Sequence, residues 1–223
     1  MKRLILLLSI SLFSLTGCQN QGASGNQPAA TPRQQSSEIT TPPKPAQAKM
    51  HFTADSLKIR WTAYKTTAKV PVSGTFKDFS YRLSTNADTP NALLDRASVS
   101  IKTASVFSGN AGRDQILRDA FFQMMMDSNL IELRTAGWDN AHGILHTVIR
   151  MNNKEIPVDF TVKQKDGSLQ GDAQIDVVKQ FKAGRALYNL HTMCEDKHTG
   201  KDGVSKTWPD VQLQFELYYH QDH

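Results

Sequence analysis

The sequence predicts a mainly β domain in which about eight antiparallel strands close into a barrel. Three observations support this prediction. Apolar and polar residues alternate through most of the chain after residue 49, turn-forming residues separate the alternating segments, and one stretch alone has helical periodicity. Short connections between consecutive segments favour an up-and-down sheet, and closing that sheet removes its unpaired edges.

The strand pattern is clearest near the C-terminus, where Val211, Leu213 and Phe215 alternate with polar residues. Asn152-Asn153 and Asp166-Gly167 are typical turn sequences between such segments. One side of each strand is therefore expected to face an apolar interior and the other side water. The same two-residue period occurs at 79–83, 97–102, 156–163 and 169–177.

One stretch, at about residues 112–126, has a helical period instead. Its apolar residues recur three to five positions apart, and Asn110 is a candidate N-cap. A single helix inserted between strands can cover one end of a barrel. The apolar positions are Ile116, Leu117, Ala120, Phe121, Met124 and Met125.

The N-terminal end has the order of a bacterial secretion signal. Lys2 and Arg3 precede an apolar run at 4–15, which is shorter than the ~20 residues of a membrane span. Small residues directly before Cys18 resemble the lipobox of bacterial lipoproteins. That resemblance implies that residues 1–17 are removed and that Cys18 is diacylated; an ordinary cleaved signal is the alternative.

Residues 18–48 are predicted to be a disordered linker between the lipid anchor and a folded domain at 49–223. The linker consists almost wholly of small and polar residues with several prolines, so it cannot bury enough apolar surface to fold. Gln19 follows the cysteine, which by analogy with enterobacterial sorting favours the outer membrane. The domain is then expected to face the periplasm of a Gram-negative bacterium.

Charge, cysteine content and missing motifs exclude several function classes. Removing residues 1–17 leaves 24 basic against 21 acidic residues, a net charge of +3, which does not indicate nucleic-acid binding. Cys194 is the only thiol left once Cys18 is acylated, so no intramolecular disulfide is expected. The chain has no GxSxG motif and no glycine-rich phosphate loop, so we predict no catalytic residue, no cofactor and no enzymatic activity.

Several motifs, in their order along the chain, resemble the YceI-like family of exported, lipocalin-like, polyisoprenoid-binding proteins. The segments 61–66 (WTAYKT) and 69–76 (KVPVSGTF) are similar to the WTAxK…KxxVxGTF form of its lipoprotein branch. Further matches are Ser100-Ile101, Arg113-Asp114 leading to Phe121-Phe122, and the segment 206–211. Over residues 52–220, the resemblance implies an eight-stranded barrel with an added helix and a long apolar pore for an isoprenoid or similar amphiphile.

The resemblance and the alternation together nominate two sets of site residues. Lys65, Lys69 and Arg113 are candidates for contact with a phosphate or other polar head group, with solvated surface charge as the alternative. The expected partners are an isoprenoid or fatty amphiphile and, through the N-terminal lipid, a membrane; a homodimer is left open. Candidates for lining the pore, with plain core packing as the alternative, are Trp61, Phe76, Tyr81, Phe121, Phe122, Met125, Phe160, Phe215, Leu217 and Tyr219.

Two other functions remain open at the level of sequence. The first is a structural or interaction lipoprotein whose barrel is filled by its own side chains. The second is a metal-binding or enzymatic role for the polar segment 191–198, interpreted as a loop. It contains two histidines, a cysteine and two acids but no CxxC or HExxH spacing, so we predict no metal site. His142 and His146 are expected on the outer side of a strand.

Overall fold

The computed structural model describes residues 50–51, 57–84, 87–165 and 167–221. The predicted signal peptide (1–17), the Cys18 anchor and the linker (18–48) lie outside these residues. Within the described ranges, no helix combines the length and the apolar character that crossing a membrane requires.

Antiparallel pairing of short strands dominates the described chain. Ten strands form one sheet in the order β4-β5-β7-β8-β9-β10-β11-β2-β3-β6, and β1 pairs with β12 separately. The strands are β1 Met50–His51, β2 Leu57–Lys65, β3 Val70–Phe76, β4 Phe79–Arg82, β5 Ser98–Lys102, β6 Val106–Phe107, β7 Leu130–Asp139, β8 Ile144–Met151, β9 Lys154–Lys165, β10 Ser168–Asp176, β11 Thr207–Tyr218 and β12 His220–Gln221.

The predicted mainly β, antiparallel fold is confirmed, but the predicted count of eight strands is too low. The additional strands arise where the chain bends: β3 continues into β4 after a two-residue bend, and β5 reaches β6 through a 3₁₀ turn, Thr103–Ser105. β3 pairs with β6 and β4 with β5. Lys77 N donates to Ser105 O and Lys102 N to Asp78 O, both at 3.0 Å, so pairing continues across both breaks. The sheet thereby curls round into a barrel.

The helix predicted at 112–126 is present but irregular. Helix α1 covers Ala111–Ile116 and continues as a π-helical segment, Leu117–Phe121, and a 3₁₀ turn, Phe122–Met124. Asn110 is the predicted N-cap, since its side chain accepts a 2.9 Å hydrogen bond from Arg113 N.

The prediction of a single inserted helix is wrong. The segment assigned as a polar loop at 191–198 instead forms the end of helix α2, Gly184–Met193, and the one-turn helix α3, Glu195–His198. Ala186, Leu187 and Leu190 provide the apolar face of α2 at helical spacing, a stripe too short to stand out beside the strand pattern. Helix α2 packs against the π-helical segment.

Strand alternation builds the core as predicted. In β9, Val158, Phe160 and Val162 are buried while the residues between them are exposed. Burial of a side chain of this size contributes about 1.5–3 kcal/mol. The inward residues of the other strands follow the same rule, and their common interior holds the site described next.

Candidate binding cavity

The interior of the barrel is hollow. It contains a cavity of about 200 Å³ whose walls come from the inward side chains of most of the strands. For comparison, an apolar cavity of ~150 Å³ holds a benzene ring. Among the described residues, Arg60, which is largely exposed, is the only charged one that lines it. The helical segments complete the wall with Leu117, Phe121, Phe122, Leu187 and Leu190.

Six of the ten residues nominated for the pore line this cavity: Trp61, Phe76, Phe121, Phe122, Phe160 and Phe215. Four others do not line it. Leu217 is completely enclosed (0% exposed) and Met125 is buried in the core. Tyr81 and Tyr219 are half-buried and pack against the core from outside the cavity. Alternation identifies the inward face of a strand, but it does not tell which inward residues border an open space.

Sequence reasoning also missed many lining residues, although the signal was present. The aliphatic alternates of the predicted strands reach the cavity as often as the aromatic residues do. They were not among the predicted lining residues, because that prediction favoured large aromatic side chains. Among them are Ile59, Val99, Ile101, Leu133, Leu145, Ile149, Ile175 and Leu213.

Two glycines make room for aromatic rings in the cavity wall. Gly74 pairs across the strands with Trp61, and Gly171 pairs with Phe215. A Cβ atom on either glycine would overlap the partner's ring. The rings therefore lie over the glycines, and Trp61 Nε1 donates to Thr75 O at 3.3 Å. Replacing either glycine by alanine would displace a ring that borders the cavity.

A second recess, of about 180 Å³, adjoins the cavity and has a different lining. It shares walls with the cavity but adds polar and cationic side chains from β2, α1, α3 and β11 and from the residues that flank the helices. We call it the basic recess, because none of the described residues that line it is acidic. The polar and charged members are Tyr64, Lys65, Asn110, Arg113, Cys194, Lys197, His198 and Thr207.

The three nominated head-group residues separate into two groups. Lys65 and Arg113 line the basic recess. Lys69 does not: its Nζ lies 3.1 Å from Asp210 Oδ2 and 4.3 Å from the centre of the Trp208 ring. Lys197, which was not nominated, takes its place, because the helical conformation of 195–198 was not predicted.

Burial and neighbouring charge keep the imidazole of His198 neutral. Burial, then the Lys65 ammonium and His191, lower the pKa of His198 to about 4. Its Nδ1 is 2.6 Å from Thr207 Oγ1, an oxygen that His191 Nδ1 also approaches at 3.1 Å. Burial raises the pKa of the Cys194 thiol, so the sulfur is protonated and a poor nucleophile.

The histidines do not assemble a metal centre in the part of the chain that the structure describes, where no three His, Cys, Asp or Glu side chains are placed to hold an ion. His191 and His198 both turn to Thr207. His146 lies on the exposed side of β8, as predicted, 2.7 Å from Asp159, and His142 lies exposed in the preceding turn.

An antiparallel barrel with an enclosed apolar interior and an adjoining polar recess defines a lipocalin-like protein with space for a guest molecule. A family model described as "YceI-like domain" matches residues 35–219. The chain therefore belongs to the YceI-like family, as the motifs at 61–76 indicated.

Several solved structures are similar to this chain, and the first described below has the same fold. A polyisoprenoid-binding domain from Saccharophagus degradans, implicated in plant cell wall breakdown, is 15% identical with a TM-score of 0.52, covering 78% of this chain and 98% of that one. BcnA from Burkholderia cenocepacia is 19% identical with a TM-score of 0.48, covering 72% and 94%. The YceI protein of Campylobacter jejuni is 20% identical with a TM-score of 0.46, covering 68% and 85%. No curated protein matches the sequence.

Proposed function

We propose that this protein is a non-catalytic lipoprotein of the cell envelope that binds an isoprenoid or similar amphiphilic lipid inside its barrel, as a carrier or a store. The observation on which this rests is the apolar cavity of about 200 Å³. Each CH₂ group of a guest that leaves water for such a surface gains ~0.8 kcal/mol, so a prenyl or acyl chain needs no polar contact to bind.

Aromatic and aliphatic side chains would hold the guest. Phe160 and Phe215, with ring centroids 5.5 Å apart, and Phe122, which meets Phe76 edge to face, offer rigid surfaces. The family's relative in Saccharophagus degradans is named for polyisoprenoid binding. The alternative of a barrel packed solid requires an interior without this space.

The N-terminal sequence supports a location. Diacylation of Cys18 would anchor the protein to the outer membrane with its domain facing the periplasm. The linker of about 30 residues would then span ~30 Å as a random coil, enough to let the domain approach the lipid surface. Labelling with a radioactive fatty acid, lost in a Cys18→Ser variant, tests this part of the proposal.

Mass spectrometry of the gently purified full chain tests the central claim. We expect about one amphiphile per protein molecule, and add-back of farnesol to the delipidated protein should restore binding. A protein that yields no stoichiometric lipid and binds no added prenyl or acyl chain would contradict the proposal.

A pair of variants separates filling of the cavity from general overpacking. Ala97 lines the cavity, whereas Ala173 is buried but does not line it. Both Ala97→Leu and Ala173→Leu add the same volume to the core. Only Ala97→Leu is expected to lower lipid occupancy. Thermal unfolding of both variants measures the loss of stability that overpacking causes in each.

A further inference from the structure

The basic recess adjoins the apolar cavity. Their shared walls are formed by Trp61, Ala63, Leu117, Leu190 and Thr207. A molecule whose apolar chain lies in the cavity would need to pass only these shared side chains to place its polar end in the recess. This proximity relates the chemistry of the recess to that of the cavity.

The recess concentrates positive charge, and none of the described residues that line it is acidic. Lys65, Arg113 and Lys197 line it, and neither of the two half-buried members, Lys65 and Arg113, forms an ion pair with a described residue. Asp114, the next residue along α1, is buried; it accepts a 2.8 Å hydrogen bond from Ser108 N and another from the Ser108 hydroxyl, which in turn accepts from Arg113 Nε. Lys65 has no such link to a described carboxylate, and a partly buried cation without a counter-charge is costly, so a bound anion would remove that cost.

The cationic side chains are held in place before any ligand arrives. Lys65 Nζ donates to Lys197 O at 2.9 Å. Arg113 donates from Nε to Ser108 Oγ at 2.7 Å and from Nη2 to Ser108 O at 3.1 Å. His198, kept neutral by burial and by Lys65, presents a hydrogen-bonding ring beside them. Positioned donors of this kind favour the oxygens of a phosphate or carboxylate.

We propose that the basic recess binds the anionic head group, a phosphate or carboxylate, of the amphiphile whose chain occupies the cavity. The inference rests on the proposed function, because it assigns the polar end of the same guest. The proposed head-group site includes Lys197 and excludes Lys69.

Paired ligands with the same chain and different heads test the inference. Fluorescence titration of the full chain with farnesol and with farnesyl monophosphate should show at least tenfold tighter binding of the phosphate. Lys65→Met and Arg113→Met should each weaken the binding of farnesyl monophosphate several-fold more than the binding of farnesol. Lys69→Met is the matched control and should alter neither affinity.

A further variant, Lys197→Met, controls for a disturbed α3 in the Lys65→Met protein. Lys65 supports the Lys197 carbonyl, so its replacement could disturb that turn. Lys197→Met leaves this hydrogen bond to the backbone intact, and it should also reduce the preference for the phosphate. A Lys197→Met protein that keeps the full preference would remove Lys197 from the site.

The remaining outcomes distinguish the inference from the function on which it rests. Equal binding of both ligands by the wild type would overturn the anionic head group and leave lipid binding intact. Binding of neither ligand would overturn lipid binding itself. Inorganic phosphate at millimolar concentration should not displace farnesyl monophosphate. If phosphate displaces farnesyl monophosphate but, in a parallel titration, does not displace farnesol, the recess is a free-anion site and the head-group assignment fails.

Discussion

The cavity and the basic recess adjoin each other, but they are assembled in different ways. The cavity is walled by successive inward residues of regular strands such as β7, β8 and β11. The recess is built from single residues of separate segments: Lys65 at the end of β2, Arg113 in α1 and Lys197 in α3. The apolar space is therefore a repeating property of the sheet, whereas the charged space depends on how irregular segments dock.

This difference predicts how each region responds to substitution. Changes in the strand walls should cost stability first, because those side chains belong to the core. Changes in the charged side chains of the recess should alter ligand choice with little effect on folding, because these side chains are half-buried or exposed. The predictions below test that contrast, from the largest effect to the smallest.

Leu217→Ala should have the largest effect on stability and little effect on binding. Leu217 is completely enclosed but does not line the cavity. Truncating such a side chain costs about 2–5 kcal/mol. Urea unfolding should show this loss, while the folded fraction keeps its affinity for farnesol. A large drop in affinity without a loss of stability would place Leu217 at the ligand.

Gly171→Ala should lower stability and binding together. Its new Cβ overlaps the Phe215 ring, which must move from its position in the cavity wall. Overpacking of this kind costs about 1–3 kcal/mol. Thermal unfolding and farnesol titration measure the two effects.

Gly137→Ala is the control for this substitution. Gly137 lies in β7, and a Cβ there would meet no atom within 4 Å. We expect its stability and affinity to stay near those of the wild type. Equal losses in both glycine variants would show that the ring displacement is not responsible.

The recess should make folding pH-dependent through His198. Its folded pKa of about 4 lies below its ordinary value of 6.5, so the unfolded chain binds more protons between these pH values. Stability is therefore lost as the pH falls from about 6.5 through 4. Because the ring is half-buried, the loss should be on the order of 1 kcal/mol, well below the full value of the shift.

Urea unfolding of wild type and His198→Asn at pH 7.5 and pH 4.5 isolates that contribution from the carboxylates that also titrate. Asparagine keeps a hydrogen-bonding group toward Thr207 but does not titrate. The free energy of unfolding should decrease between pH 7.5 and pH 4.5 by less in the variant than in the wild type, and the difference is the contribution of His198. An identical decrease in both proteins would show that His198 does not titrate abnormally.

Asp210→Asn should have the smallest effect. The Lys69–Asp210 ion pair lies outside the recess and is partly exposed, with 46% of the lysine side chain and 25% of the aspartate side chain accessible. Such pairs contribute about 0–1 kcal/mol, and less at high salt. The preference for farnesyl monophosphate over farnesol should not change. A changed preference would show that Lys69 takes part in head-group binding.

Much of the architecture is predictable from local pattern. Phe160 faces inward because the strand period requires it, and Asn110 caps α1 because its side chain accepts the Arg113 N–H. The bends at 77–78 and 103–105 were not predicted, although the alternation changes phase at each: Phe76 and Phe79 lie three positions apart, and Ile101 and Val106 lie five apart. Helix α2 was missed because its apolar stripe extends over few residues.

The amino-acid sequence by itself determined the antiparallel β class, the inward face of each strand and the family, because these depend on periodicity and on short motifs of neighbouring residues. Only the tertiary structure decided that space remains between the inward side chains, since packing depends on pairs such as Gly171 and Phe215 that lie on different strands. It also decided that Lys65, Arg113 and Lys197 share one recess, because residues so far apart in the chain meet only through the docking of the helices on the barrel.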